Sequence, residues 1–238
     1  TGAPIDPCAS GPGPSCSEWL LPSSARSGGE GGSSWTTDLT VVNTGTTEAA
    51  LFVRFLGHDA DGRAGAERTF RLAAGLSVTW ADVLGTVFGE GGAWGAIQLR
   101  SAGPSLLVTS QTSTPGGGGT YGQSVPSVPE TELVRNGAAR TIAAVREDAS
   151  FRTNLVLANA TESPLSVDVS LVSEAGATLG TRRFDLLPLG MTQVSRVVRE
   201  LGVSADVSGA RLVLSTPTPS GAFAAYASVI DARTNDPR

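Results

Sequence analysis

Trp35-Thr36-Thr37-Asp38-Leu39-Thr40-Val41-Val42-Asn43 recurs as Phe151-Arg152-Thr153-Asn154-Leu155-Val156-Leu157-Ala158-Asn159. An aromatic residue, a Thr, an Asp or Asn, a Leu and a closing Asn return in register. Each stretch reads as a strand with period-2 patterning that ends in a turn residue. Self-similarity at a fixed offset is the signature of a repeated structural unit.

The correspondence runs outward from this pair. Arg68-Thr69-Phe70-Arg71-Leu72 aligns with Arg182-Arg183-Phe184-Asp185-Leu186, Gly75 with Gly190, and Gly95-Ala96-Ile97-Gln98-Leu99 with Gly209-Ala210-Arg211-Leu212-Val213. The offsets stay within 114–116 residues, so the chain reads as a duplication with small insertions. Strands are expected near 18–22, 36–43, 49–56, 67–72, 76–80, 95–100, 105–112 and 120–126, then near 140–145, 152–159, 165–173, 181–187, 191–195, 209–215 and 222–230. One helical interruption recurs, at 81–88 and 196–202. Many short strands at this spacing favour a β-sandwich over a βαβ sheet. The expected class is all-β: two tandem antiparallel sandwich modules, each with a short helical turn. An irregular arm (1–16) precedes module one (17–130), a linker (131–139) and module two (140–238).

The composition agrees. The chain has 238 residues, enough for two domains of about 100 residues each. Only 16% of residues are charged, against roughly 25% in an average soluble domain. Such low charge suits either an extracellular β protein that presents hydroxyls or one that buries surface against neighbours. All 17 basic residues are arginine, as a GC-rich genome produces, and the net charge is −5 without a basic cluster. Nucleic acid is therefore not an expected partner. No apolar run reaches the length of a membrane span.

The two cysteines, Cys8 and Cys16, lie close together in a Gly/Pro/Ser-rich stretch. Such a segment has little core of its own, and a local disulfide would staple it. The chain opens Thr1-Gly2-Ala3-Pro4, without a charged start or an apolar leader. With the disulfide, this leads to the expectation of a mature, secreted chain.

Trp35-Thr36-Thr37-Asp38-Leu39 with its following Asn43, Thr120-Tyr121-Gly122-Gln123, and the run from Tyr226 to Pro237 resemble tandem Ig-like β-sandwich repeats in large secreted and surface proteins of GC-rich bacteria. The resemblance covers nearly all of 17–237 and leaves the arm outside. It implies an exported β-sandwich, and such modules mostly have no assigned activity.

Residues able to carry chemistry are sparse. The single histidine, His58, lies in Gly57-His58-Asp59-Ala60-Asp61-Gly62-Arg63, where Asp-Gly signals a hairpin turn. No Gly-x-Ser-x-Gly elbow accompanies it. Asp59-x-Asp61-Gly62 echoes a calcium loop, but Glu67 comes too early for the late bidentate ligand. Glu130, Glu132, Glu147 and Asp148 are the carboxylates a glycosidase reading would need, and they read as loop residues. Gly116-Gly117-Gly118-Gly119 lacks the Lys and helix of a phosphate loop. Asn159-Ala160-Thr161 is formally a glycosylation sequon. Trp35, matched by Phe151, reads as core. Trp19, Trp80 and Trp94 have no aromatic counterparts and are the candidates for surface interaction. No catalytic residue, metal ligand or cofactor site is expected.

The duplication is uneven at its ends. A β-like segment, Thr120 to Pro126, follows the first module's Gly-rich loop and has no equivalent in the second. An uncovered sheet edge invites pairing. The reading that follows is a non-enzymatic extracellular structural protein. Its arm, or its first strand, completes the last sandwich of another copy, head to tail, in a surface filament or layer. The alternative is a non-polymeric adhesion or carbohydrate-binding or accessory module of a secreted protein, whose partners are cell-surface or extracellular components.

Overall fold

The computed structural model describes Cys8 and residues 16–29, 32–103, 106–116 and 118–237. Apart from Cys8 and Cys16, the expected arm lies outside these residues. Strands hold 62% of the structure and helical turns 8%, so the class is all-β, built from antiparallel sheets. The chain divides into two compact units, one of Thr1–Gly57 and Ala64–Glu132, the other of His58–Arg63 and Leu133–Arg238.

The first unit holds β1 (Cys16–Gly28), β2 (Ser34–Asn43), β3 (Ala49–Gly57), β4 (Glu67–Leu72), β5 (Ser77–Trp80), β6 (Ala93–Ala102), β7 (Leu106–Gly116), β8 (Gly119–Pro126) and β9 (Val128–Pro129). They join in the order β4-β3-β6-β1-β2-β7-β8, with β5 on β2 and β9 on β1. β1 connects the two halves. It pairs with β6 from Cys16 to Arg26, breaks register between Leu21 and Ser24, and pairs with β2 through Arg26–Gly28. A break of this kind bends the strand and raises its twist. Leu51, Val53, Phe55, Ile97 and Leu99 are buried in one half, Leu39, Val41, Leu106 and Val108 in the other.

On β3 and β6 the alternate side chains Phe52, Leu56, Ala96 and Gln98 are buried as well. Phe52 lies beneath the guanidinium groups of Arg100 (4.7 Å) and Arg54 (5.4 Å). This part of the sheet is therefore covered on both faces.

The second unit has two separate sheets. β10 (Val134–Arg135), β17 (Ala222–Asp231), β12 (Phe151–Asn159) and β15 (Met191–Val194) form one, and β11 (Ala139–Glu147), β16 (Val207–Ser215), β13 (Leu165–Val172) and β14 (Thr178–Leu186) the other. Its core combines Leu155, Leu157 and Phe223 with Val167, Val169, Leu171, Leu212 and Leu214. α1 (Val197–Glu200) closes one end with Val197 and Val198. The corresponding turn in the first unit is Leu84–Phe88. β10 falls within the stretch read as linker, because its two residues find pairing partners on β17.

The repeated phrase explains itself once folded. Asn43 is fully buried; its Nδ2 donates to the carbonyls of Thr47 (2.8 Å) and Leu72 (2.9 Å), and its Oδ1 accepts from Gly45 N–H. Asn159 does the same with Ser163, Leu187 and Thr161. Thr37 Oγ1 accepts the N–H of Ala25 in β1, and Thr153 Oγ1 that of Arg146 in β11. Asp38 accepts the N–H of Asp82, and Asn154 that of Arg196. Both acceptors thereby hold a residue of positive φ, Asp82 at 47° and Arg196 at 53°, where a helical turn begins. Each recurrent polar position ties its strand to a different element.

The aromatic position of the phrase differs from expectation. Trp35 and Phe151 are both only partly buried, because they sit at the start of their strands, beyond the last core row. Trp35 packs on the backbone at Gly29, where a Cβ would come 2.7 Å from the ring, and its Nε1 donates to Ser33 Oγ. Phe151 carries the Arg146 guanidinium at 3.9 Å.

Replacing Asn159 or Asn43 with Ala leaves two backbone carbonyls and one backbone N–H without the buried amide that joins them. Each change is expected to destabilise its own unit by about 2–4 kcal/mol, read from denaturant unfolding. A loss below about 0.5 kcal/mol, within the range of ordinary surface substitutions, would mean that these bonds do not hold the fold.

Candidate functional site

The expected disulfide is present: Cys8 is joined to Cys16, the first residue of β1. It ties Cys8 to a strand paired with β6.

The three unmatched tryptophans do not form one platform. Trp19 is on β1, opposite Leu99 of β6 and Pro129 of β9. Trp94 is five positions from Leu99 along β6, so strand alternation puts it on the other face. Trp80 is on β5, tilted against Phe70 with centroids 4.7 Å apart. Only Trp94 has a widely open side chain, at 41% exposure.

The segment His58–Arg63 is used for packing. His58 bridges to Met191, Asp59 N–H donates to Met191 O (2.8 Å), and Gly62 N–H donates to Pro188 O (3.0 Å). Gly62 is required by close approach, since a Cβ there would lie 2.1 Å from the Leu189 carbonyl oxygen. The calcium-like carboxylate is already neutralised. Arg63 holds Asp61 at 2.6 Å and keeps its pKa below the usual carboxylate value through side-chain and backbone hydrogen bonds. No cluster of three or more His, Cys, Asp or Glu that could hold a metal ion occurs among the described residues. Beside this segment is a cavity of about 230 Å³, lined by Asp59, Asp185, Gly190 and Met191 among others. That is smaller than the roughly 300–1,000 Å³ of typical small-molecule pockets.

The remaining motifs resolve into local structure. β7 and β8 form a hairpin whose last pair is Gly116–Gly119, and the Tyr121 ring lies over Gly116. Asn159 of the sequon is buried, with its amide committed to two carbonyls, so the acceptor nitrogen is closed to modification. Glu130 and Glu132 are exposed on a short turn. Asp148 pairs with Arg146 at 2.6 Å and caps the N–H groups of Ser150 and Phe151.

Glu147 is different, and nothing in its sequence context announces it. It is 0% exposed at the end of β11, with Arg199 Nε at 3.5 Å and Arg196 at 4.0 Å from one carboxylate oxygen. Burial raises its pKa above the ordinary value. The N–H groups of Val198 and Thr153 and the guanidinium groups of Arg199 and Arg196 oppose that rise without cancelling it. In the first unit the same place holds the opposite arrangement. Arg26 pairs with Ala93 of β6 much as Glu147 pairs with Val207 of β16, and Arg26 forms its ion pair with Asp82. The two units thus use one tie with the charges exchanged.

The sheet edges are unequal. β4 carries Glu67, Arg68 and Arg71, and β14 carries Arg182, Arg183 and Asp185. β7 is paired by β8 from Thr109 to Gly116. β17 is paired by β12 along its length; on its other side, among the described residues, β10 meets Ala222 and Phe223 and Pro237 bridges Ile230. The intervening run, Ala224-Ala225-Tyr226-Ala227-Ser228-Val229, contains no charge, Pro or Gly. Natural edges are ordinarily protected by such residues. No helix of the described residues is long and apolar enough to cross a membrane.

No known protein family, curated protein or solved structure matches the chain.

Because the folded-state pKa of Glu147 is raised, its protonated form favours the fold. Stability is therefore expected to fall as pH rises from 4.5, the ordinary value, through the raised folded value, and then to level off. Glu147→Gln should raise stability at neutral pH and flatten that slope in denaturant titrations between pH 4 and 8. A lower midpoint at neutral pH would show that the ion pairs with Arg196 and Arg199 outweigh desolvation.

Proposed function

We propose that this chain is an extracellular structural protein, a subunit of a surface filament or layer that assembles head to tail by strand addition. Its two units are copies of one Ig-like module, and the N-terminal arm (1–16) of one copy adds to the open edge of another. The observation that carries this reading is the β17 edge, six uncharged residues from Ala224 to Val229 that lie between its pairings with β10 and with Pro237 and have no strand partner on that side among the described residues. At about 3.4 Å per residue this edge offers roughly 20 Å of ladder, the length of an ordinary strand.

Further observations support it. The Cys8–Cys16 disulfide fits an oxidising compartment and would fix where the arm leaves β1. The low charge suits a surface that meets other copies.

Negative-stain electron microscopy of the native protein should show regular fibres or sheets. Removal of residues 1–16 should leave a folded monomer and abolish them. Discrete single particles at high concentration, with glycan binding lost on Trp94→Ala, would replace this reading with the adhesion alternative.

A further inference from the structure

The chain has five asparagines, and only Asn136 is followed by glycine. The other four precede Thr44, Leu155, Ala160 and Asp236. The carboxamide of an asparagine lies within reach of the next backbone nitrogen. A side chain on that next residue obstructs the approach, and glycine offers none.

Asn136 and Gly137 are the central residues of the turn from β10 into β11. Ala138 N–H donates to Arg135 O (2.9 Å). Gly137 has a positive φ of 86° and Asn136 does not, the pattern of a type II turn. Both residues are exposed. A Cβ built on Gly137 would meet nothing within 4 Å, so the turn is uncrowded. The Gly137 N–H has no backbone acceptor among the described residues. The one Asp-Gly pair, Asp61-Gly62, is closed to the same approach. Gly62 is buried with its N–H given to Pro188 O (3.0 Å), and the Asp61 carboxylate is held by Arg63.

The Asn136 amide is also a tie. Its Nδ2 donates to Thr216 O (3.0 Å), and its backbone N–H donates to Gly221 O (3.3 Å). Thr216 is itself buried; its hydroxyl donates to Ser166 O of β13 and accepts the N–H of Thr218. Asn136 thus fastens the end of β10 to the loop that leads into β17. Val134, two residues earlier, belongs to the core of this unit.

We propose that Asn136-Gly137 is a site of spontaneous covalent modification at which the side-chain amide is lost as ammonia. The Gly137 nitrogen bonds to Cγ of Asn136 and gives up its proton. The Cγ–Nδ2 bond breaks, and Nδ2 leaves with that proton as ammonia. Water then opens the cyclic imide at one of its two carbonyls. One opening gives aspartate; the other carries the main chain through the former side chain as isoaspartate. Either product sets a carboxylate where the donor to Thr216 O had been, so two acceptors face each other. The isoaspartate also lengthens the main chain within the turn. The end of β10 is then released from Ala222 and Phe223 of β17. The reaction needs only this chain and water, and it stands whether or not copies assemble.

The test incubates the full chain in mildly alkaline buffer, folded and in parallel in urea, followed by peptide mass mapping. The folded chain should convert at Asn136 and keep its other four asparagines. Conversion of Asn136 in urea alone would overturn the proposal, because the folded turn would then prevent ring closure. Asn136→Gln, which would have to close a larger ring, should keep its amide; loss of ammonia from that peptide in the variant would also overturn it. Asn136→Asp carries the product from the start. Its backbone amides at 134–138 should exchange hydrogen about tenfold faster than those of the wild type, as the loss of one such tie implies. Unchanged exchange there would overturn the release of β10.

Discussion

A buried carboxamide cannot be left to itself. Asn43 and Asn159 have no access to water, so the backbone must bring acceptors to each of them. In both units these acceptors are a carbonyl of the adjoining loop and one at or just beyond the end of the strand that pairs with β3 or β13. One side chain thereby fixes where a strand ends, how its loop turns and where a distant strand stops. The neighbouring polar positions extend the same logic. Thr37 and Thr153 hold the first strand of each unit, and Asp38 and Asn154 hold the residue that opens the helical turn. The apolar positions between them fill the core. The phrase is kept because each of its polar members has a long-range bond to make.

What the units share lies inside, and what distinguishes them lies on their faces and edges. Even the ion pair beside the helical turn is exchanged rather than lost, the partly exposed Arg26 with Asp82 in one unit and the buried Glu147 with Arg196 and Arg199 in the other. An exchange of this kind preserves the attraction across the tie while altering the cost of burial, which falls on a carboxylate in the second unit. On the outside the divergence is larger. The β13–β14 face carries hydroxyls and ion pairs such as Arg183 with Asp168, whereas the β3–β6 face carries buried Phe52 and Leu56.

The groups that could carry chemistry are dispersed in the fold or committed to packing. The histidine segment packs, the loop aspartate is held by its own arginine, and the sequon amide is closed. Among the described residues, a feature without such commitment is a stretch of backbone, the long uncharged edge of β17. Strand addition draws on main-chain hydrogen bonds, and side chains beside the edge set its specificity. That division of labour suits a fold whose surface offers few charges for steering.

The all-β class, nearly every strand and both helical turns were legible in the sequence, because period-2 alternation, turn residues and the repeated phrase are local signals. The disulfide was legible for the same reason, since its partners are eight residues apart. The partly exposed place of Trp35 and Phe151 was not, because the alternation does not say where the opposing sheet ends. Neither was β10, whose two residues have no pattern and become a strand only through β17. Glu147 reads as one more loop carboxylate until α1 folds over it. The unpaired edge of β17 depends on which strands lie side by side. The residues by themselves determined what each strand is; long-range register, which a linear pattern does not carry, decided what each strand leaves uncovered.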